Sequence, residues 1–98
     1  MADRSPRTFN RGFLLAAEQG DVETLRQILD EGTDVDTRGK NGWTALMMAA
    51  AEGQAKVVQL LVDNGAKVDM KDRDGDTATS FALQNGHSAV AAILESEQ

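Results

Sequence analysis

The chain has no cysteine or tyrosine, and only one proline, one histidine and one tryptophan in 98 residues. Without cysteine there is no disulfide framework, no thiolate nucleophile and no cysteine-based zinc site. That fits a reducing compartment, and the expected location is cytoplasmic. Aromatic residues make up 4%, so the core has to come mostly from Ala, Val, Leu and Ile. Such a core suits closely stacked helices better than a thick sandwich. No apolar run approaches the length that spans a bilayer. The run Gly12–Ala17, which follows three arginines, is too short for a signal-peptide core.

Positive charge is also scarce. The net charge is −6, while residues 1–12 carry +2 from Arg4, Arg7 and Arg11 against Asp3, which leaves −8 for the other 86 residues. An acidic body repels phosphate backbones and anionic headgroups, so neither nucleic acid nor a membrane surface is expected as a partner. The length fits one domain, which hides roughly 60–70% of the surface its unfolded chain exposes.

What the chain does have is a period. Gly20, Gly53 and Gly86 are 33 residues apart, and so are Ala16, Ala49 and Ala82. Gly32 pairs with Gly65, Val35 with Val68, Asp36 with Asp69, Gly42 with Gly75 and Thr44 with Thr77 at the same spacing. A fixed period of this size means a stack of small units, none able to bury its apolar face alone. The middle unit, 40–72, shows the plan. Asn41-Gly42 is a turn signal, and Thr44 is placed to cap a short helix. Gly53 ends that helix in the left-handed conformation. A second helix follows from about Ala55 to Asn64, with Val57, Val58, Leu60 and Leu61 on one face. In the first unit Asp21 can cap the second helix, with Leu25, Ile28 and Leu29 inward. In the third, Thr77–Asn85 and a helix carrying Val90, Ile93 and Leu94 repeat the pattern.

These residues resemble the ankyrin repeat. Gly42-x-Thr44-Ala45-Leu46-Met47-x-Ala49-Ala50, Gly53, Val57-Val58-x-Leu60-Leu61 and Gly65-Ala66-x-Val68-Asp69 are similar to that family's successive blocks. The resemblance covers about residues 9–95 without a slip in register. It implies an all-α fold, a solenoid of three helix-turn-helix units joined by short extended turns. The expected organisation is an N-terminal extension, 1–8, and one domain, 9–98, with units at about 9–39, 40–72 and 73–98. The family's Pro and His in Thr-Pro-Leu-His become Ala45 and Met47 in the second unit, and Ala78 and Ser80 in the third. Losing the pre-set φ and the histidine's hydrogen bonds predicts a modestly stable stack.

Little here could carry catalysis. His87, at the family's Gly-His bend, would need a nucleophile and an orienting carboxylate beside it. The bend role is the simpler account, and neither enzymatic activity nor a cofactor is expected. The acidic stretch Asp69–Asp76 fails as a calcium loop in both registers. From Asp72, Thr77 stands where glycine is required and Leu83 where glutamate is; from Asp69, Lys71 takes the third position. A solvated inter-repeat turn explains it better, and a metal- or ligand-responsive role for these acids is the alternative reading.

What the resemblance implies about function is a concave face of inner helices and turn tips where a protein partner docks. Carried over by position, the candidates are Lys40, Asn41, Trp43, Met47, Ala51 and Glu52, then Arg73, Asp74, Asp76, Ser80, Gln84 and Asn85. In the first unit they are Arg7, Thr8, Asn10, Glu18 and Gln19. Trp43 is either a binding anchor or a cover for the neighbouring turn. Met48 takes a core position, while Met47 lies near the concave side. The mix of acids, amides and one Trp fits a partner with a partly basic surface. The expected state is a monomer, with self-association through the stack ends as another alternative.

Overall fold

The computed structural model describes residues 6–97, with side chains from Gly12 onward. Six helices follow one another: α1 (Pro6–Gln19), α2 (Val22–Asp30), α3 (Ala45–Glu52), α4 (Ala55–Asp63), α5 (Ala78–Gln84) and α6 (Ser88–Ser96). No strand occurs among the described residues, and a 3₁₀ turn at Lys40–Gly42 precedes α3. Residues 1–5 of the expected extension lie outside the described residues, and Pro6–Thr8 belong to α1.

Local chemistry accounts for the helix ends. The Thr44 hydroxyl accepts from Met47 N at 3.3 Å and the Thr77 hydroxyl from Ser80 N at 3.1 Å. Each satisfies one of the orphan donors of a first turn. Asp21 caps α2, accepting from Thr24 N at 3.2 Å and from its hydroxyl at 2.7 Å. Those two bonds, the hydroxyl's first, hold the Asp21 carboxyl below the ordinary carboxylate range. Gly53 ends α3 at φ 71°. The chain then turns back with Gln54 N bonded to Ala49 O at 2.9 Å, and equivalent bonds join Asp21 to Ala16 and His87 to Ala82.

The inner helices α1, α3 and α5 stack side by side, and each outer helix α2, α4 and α6 packs on its own inner partner. Alanine makes the inner layer thin. Ala16, Ala17, Ala45, Ala49, Ala50, Ala78 and Ala82 are all buried, so neighbouring backbones approach closely. Phe13, Leu25, Leu46, Met47, Val57, Val58, Leu61, Val90 and Leu94 fill the space between layers. Each such side chain stabilises by about 1.5–3 kcal/mol relative to an exposed one.

The register departs from its pattern on the outward faces of the end units. Val57 and Val90 are buried, whereas Thr24, at the same register in α2, bonds to Asp21 instead. In the third unit Thr79 stands where Phe13 and Leu46 are buried, and its hydroxyl is shut from solvent without a hydrogen-bond partner. Leu83, in register with the fully buried Ala17 and Ala50, is 57% exposed.

Candidate protein-binding face

Successive units are tied together at two levels. The first is the bend. Gln54 Nε2 donates to Glu18 O at 3.1 Å, and 33 residues later His87 Nε2 lies 3.2 Å from Ala51 O. In both cases the residue after the bend glycine reaches back to the last turn of the preceding inner helix. A methyl added at Gly20 would lie 2.6 Å from Gln54 Oε1, and one at Gly53 2.6 Å from His87 Nδ1. Those two glycines therefore serve both the left-handed bend and the passage of the next unit's side chain. Asn85 Nδ2 adds a second donor to Ala51 O at 3.1 Å. His87 is thus a bend residue, as its position implies, and also a tie between units.

The second level is the turn tip. Arg73 N donates to Asn41 O at 3.0 Å, and Asn41 Nδ2 to Asp74 Oδ2 at 3.0 Å. Arg38 Nη1 bonds to both Gly42 O and Lys71 O at 2.8 Å, and Lys67 N to Asp36 Oδ1 at 3.1 Å. Beneath them lies Asp72, only 7% exposed. Its Oδ1 accepts from Asp74 N and Asp76 N at 2.9 Å each, and its Oδ2 from Trp43 Nε1 at 2.9 Å. Burial alone would push this carboxyl up. The Asp76 N–H, the Trp43 indole and the Asp74 and Gly75 N–H groups outweigh it and hold Asp72 below the usual carboxylate range.

That arrangement corrects the expectation of a wholly solvated acidic turn. Asp72 is an inward-facing acceptor whose two oxygens are already used by N–H donors. Among the described residues, no three His, Asp or Glu side chains converge as metal ligands.

The remaining candidates divide by exposure. Lys40, Glu52, Arg73, Asp74, Gln84 and Asn85 are exposed, while Asn41, Trp43 and Asp76 are half-buried. Gln84 Nε2 reaches Asp76 Oδ1 at 3.4 Å, and Asn41 with Asp74 bridges the two tips, so these four are held in place. Trp43 packs against the core with its indole N–H satisfied, which makes it a cover for the neighbouring turn. Glu18, Ala51 and Ser80 are half-buried and Gln19 is exposed; the side chains of Arg7, Thr8 and Asn10 lie outside the described residues.

Met47 is a correction. It is 2% exposed, sealed into the core where no partner reaches it, and its neighbour Met48 is the half-exposed one. Adjacent helix residues point about 100° apart, and the buried arc of α3 takes in Leu46 and Met47 and leaves Met48 at its edge. The stack selects Met47 for that place.

Met48 in turn brings out a feature that the residue-by-residue reading misses. Leu15, Met48 and Phe81 are spaced 33 residues apart on the three inner helices. Leu15 is 48% exposed, and Met48 and Phe81 are half-buried. The period itself is the signal that finds them, because it gives three large apolar side chains one shared position outside the sealed core.

A family model of ankyrin repeats, in three copies, matches residues 13–98. The chain belongs to the ankyrin-repeat family. A comparison with curated proteins finds none that matches it. Ankyrin repeats are generally protein–protein interaction modules and typically non-enzymatic. Among the described residues no helix is long and apolar enough to cross a membrane. The six helices form the ankyrin-type solenoid, with each repeat supplying one inner helix and one outer helix.

Proposed function

We propose that the chain is a non-enzymatic adaptor or inhibitor that docks a partner protein across its inner helices and turn tips, the concave side of an ankyrin stack. The row Leu15–Met48–Phe81 carries this reading. Large apolar side chains left partly in water along one line of a repeat stack make a ready set of anchors, and a few anchors dominate small interfaces. Beside the row stand Glu18 and Glu52, with Asp74 and Asp76 at the tips, against Lys40 and Arg73. This balance favours a partner whose surface is basic around apolar contacts. Asn41, Trp43, Gln84 and Asn85 complete the face, of which Trp43 is the covering member. The protein acts as a cytoplasmic monomer in this reading.

The test is affinity purification from the native host with wild type, Met48→Ala, Phe81→Ala and Glu52→Lys, each shown by its melting curve to be folded at the temperature of the assay. Loss of one shared partner, with recovery that falls as salt rises, supports the reading. Undiminished recovery of every specific partner by all three variants removes this face.

A second reading, self-association, is favoured by the exposure of Leu83 at the end of the stack. Sedimentation at several concentrations separates the two: a constant monomer mass rules it out.

A further inference from the structure

The chain holds three Asn-Gly pairs: Asn41-Gly42, Asn64-Gly65 and Asn85-Gly86. In such a pair the glycine backbone nitrogen, unhindered by a neighbouring Cβ, can attack the asparagine side-chain carbonyl. The bond from Gly N to Asn Cγ forms and the Cγ–Nδ2 bond breaks. Ammonia leaves with the proton from the glycine nitrogen, and a succinimide ring remains. Water then opens the ring at one of its two carbonyls, giving aspartate or isoaspartate, so the net change is water in and ammonia out.

None of the three pairs is set for this reaction while folded. Their asparagine ψ angles are 15°, 15° and 9°. With ψ near zero, each glycine nitrogen nearly eclipses the asparagine's own backbone nitrogen and is turned away from Cβ. Each glycine N–H is also engaged, by Gly39 O at 3.1 Å, Val62 O at 2.9 Å and Leu83 O at 3.2 Å. The local structure must open before the ring can close.

The three differ in what opening requires. Asn64 and Asn85 are exposed residues ending α4 and α5, followed by exposed glycines. Asn64 is held by a bond to Leu60 O in its own helix, and Asn85 by one to Ala51 O. Asn41 is instead the only non-glycine residue with positive φ among those described. Its carbonyl accepts Arg73 N, its amide donates to Asp74, and Arg38 holds the carbonyl of the buried Gly42. Freeing it means separating the second unit's tip from the third's.

We propose that Asn41-Gly42 is a latent deamidation site, shielded by the tip-to-tip contacts, whose conversion uncouples the second and third repeats. Aspartate at position 41 sets a carboxylate against Asp74 in place of the present 3.0 Å hydrogen bond. Isoaspartate also adds a methylene to the main chain in the middle of the turn. Either product hinders the tips from closing again, so the modification records an opening and makes it permanent. This proposal goes beyond the docking reading and does not depend on it.

Trypsin separates the three sites, because the fragments 41–56, 57–67 and 74–98 each hold one Asn-Gly pair. The full chain is incubated folded or in denaturant at mildly alkaline pH, and the exchange of amide for acid in each fragment is followed by mass. Asn41 is expected to convert at least about tenfold more slowly folded than denatured, in proportion to the population of the open turn. Its slowing should exceed that of Asn64 and Asn85. Arg38→Ala and the milder Asp74→Ala should each speed Asn41 severalfold and leave the other two sites unchanged. Asn41 converting equally fast folded and denatured overturns the shielding. So does a rise at all three sites together in both variants, since that reports global rather than local opening. Asn41→Asp should melt lower than wild type and lower than Asn64→Asp, and a melting point equal to wild type overturns the uncoupling.

Discussion

Trp43 and Asp72, 29 residues apart, meet across the junction of the second and third repeats, with the indole Nε1 donating to the carboxylate Oδ2 at 2.9 Å. The acid organises its own turn by accepting two backbone N–H groups, and it fixes the aromatic ring of the preceding tip. A single side chain therefore sets both the shape of one turn and its distance from the next.

Acid should weaken this junction. Asp72 is held below its unfolded pKa, which is about 3.9. A depressed carboxylate contributes stability that is full above the unfolded value and is lost as pH falls through the folded one. Wild type should therefore lose stability from about pH 4 downward, Asp21 adding to the slope in the same direction. Asp72→Asn should be less stable at neutral pH, because its amide either meets the Trp43 N–H donor to donor or surrenders the backbone donors. It should also lose less on acidification. Urea midpoints measured from pH 7 to pH 3 with Trp43 fluorescence check this, and parallel curves for the two proteins would count against it.

The two adjacent methionines should separate stability from binding. Met47→Ala should cost about 2–5 kcal/mol, the usual range for emptying a sealed core site. Met48→Ala should cost about 1 kcal/mol or less, since its side chain is half in water. Denaturant unfolding measures both, and equal losses would mean that the burial difference has no energetic meaning.

Gly53→Ala should be worse than Gly65→Ala. Both glycines have positive φ, 71° and 88°, and a methyl at either meets the same backbone strain of about 1 kcal/mol. At Gly53 the methyl also collides with the His87 ring, whereas at Gly65 it meets open space. His87→Ala should accordingly narrow the gap between the two variants. Melting curves of the single and double variants test this as a cycle.

Thr44→Ala should destabilise by about 1 kcal/mol through loss of the cap on Met47 N. Thr44→Ser should recover most of that, because the hydroxyl is what the helix end uses. Thermal unfolding with both variants distinguishes the cap from loss of the threonine methyl.

Much of the fold is legible in the residues. The 33-residue period is visible by comparing the chain with itself, and the caps Asp21, Thr44 and Thr77 and the stop at Gly53 are local signals, because a hydroxyl or carboxylate three residues before a free N–H acts within one turn. The site is less so. Met47 and Met48 have the same hydrophobicity, and the period cannot say which side of α3 faces the next helix. Asp72 reads as one more solvated acid among Asp69, Asp74 and Asp76, since nothing nearby in sequence shows that the tip folds over it.

The sequence by itself determined three helical units in phase, the caps at Asp21, Thr44 and Thr77, an acidic net charge and the family the chain belongs to. Those properties depend on residues within a turn or two of one another, on composition, or on the recurrence of the same residues every 33 positions. Only the tertiary structure decided that Met47 is sealed, that Trp43 covers Asp72, that His87 and Gln54 tie repeat to repeat, and that the row Leu15, Met48 and Phe81 is left partly exposed. Each of these depends on which groups meet across about one repeat of chain, and stacking sets that meeting by excluding water from some surfaces and leaving it on others.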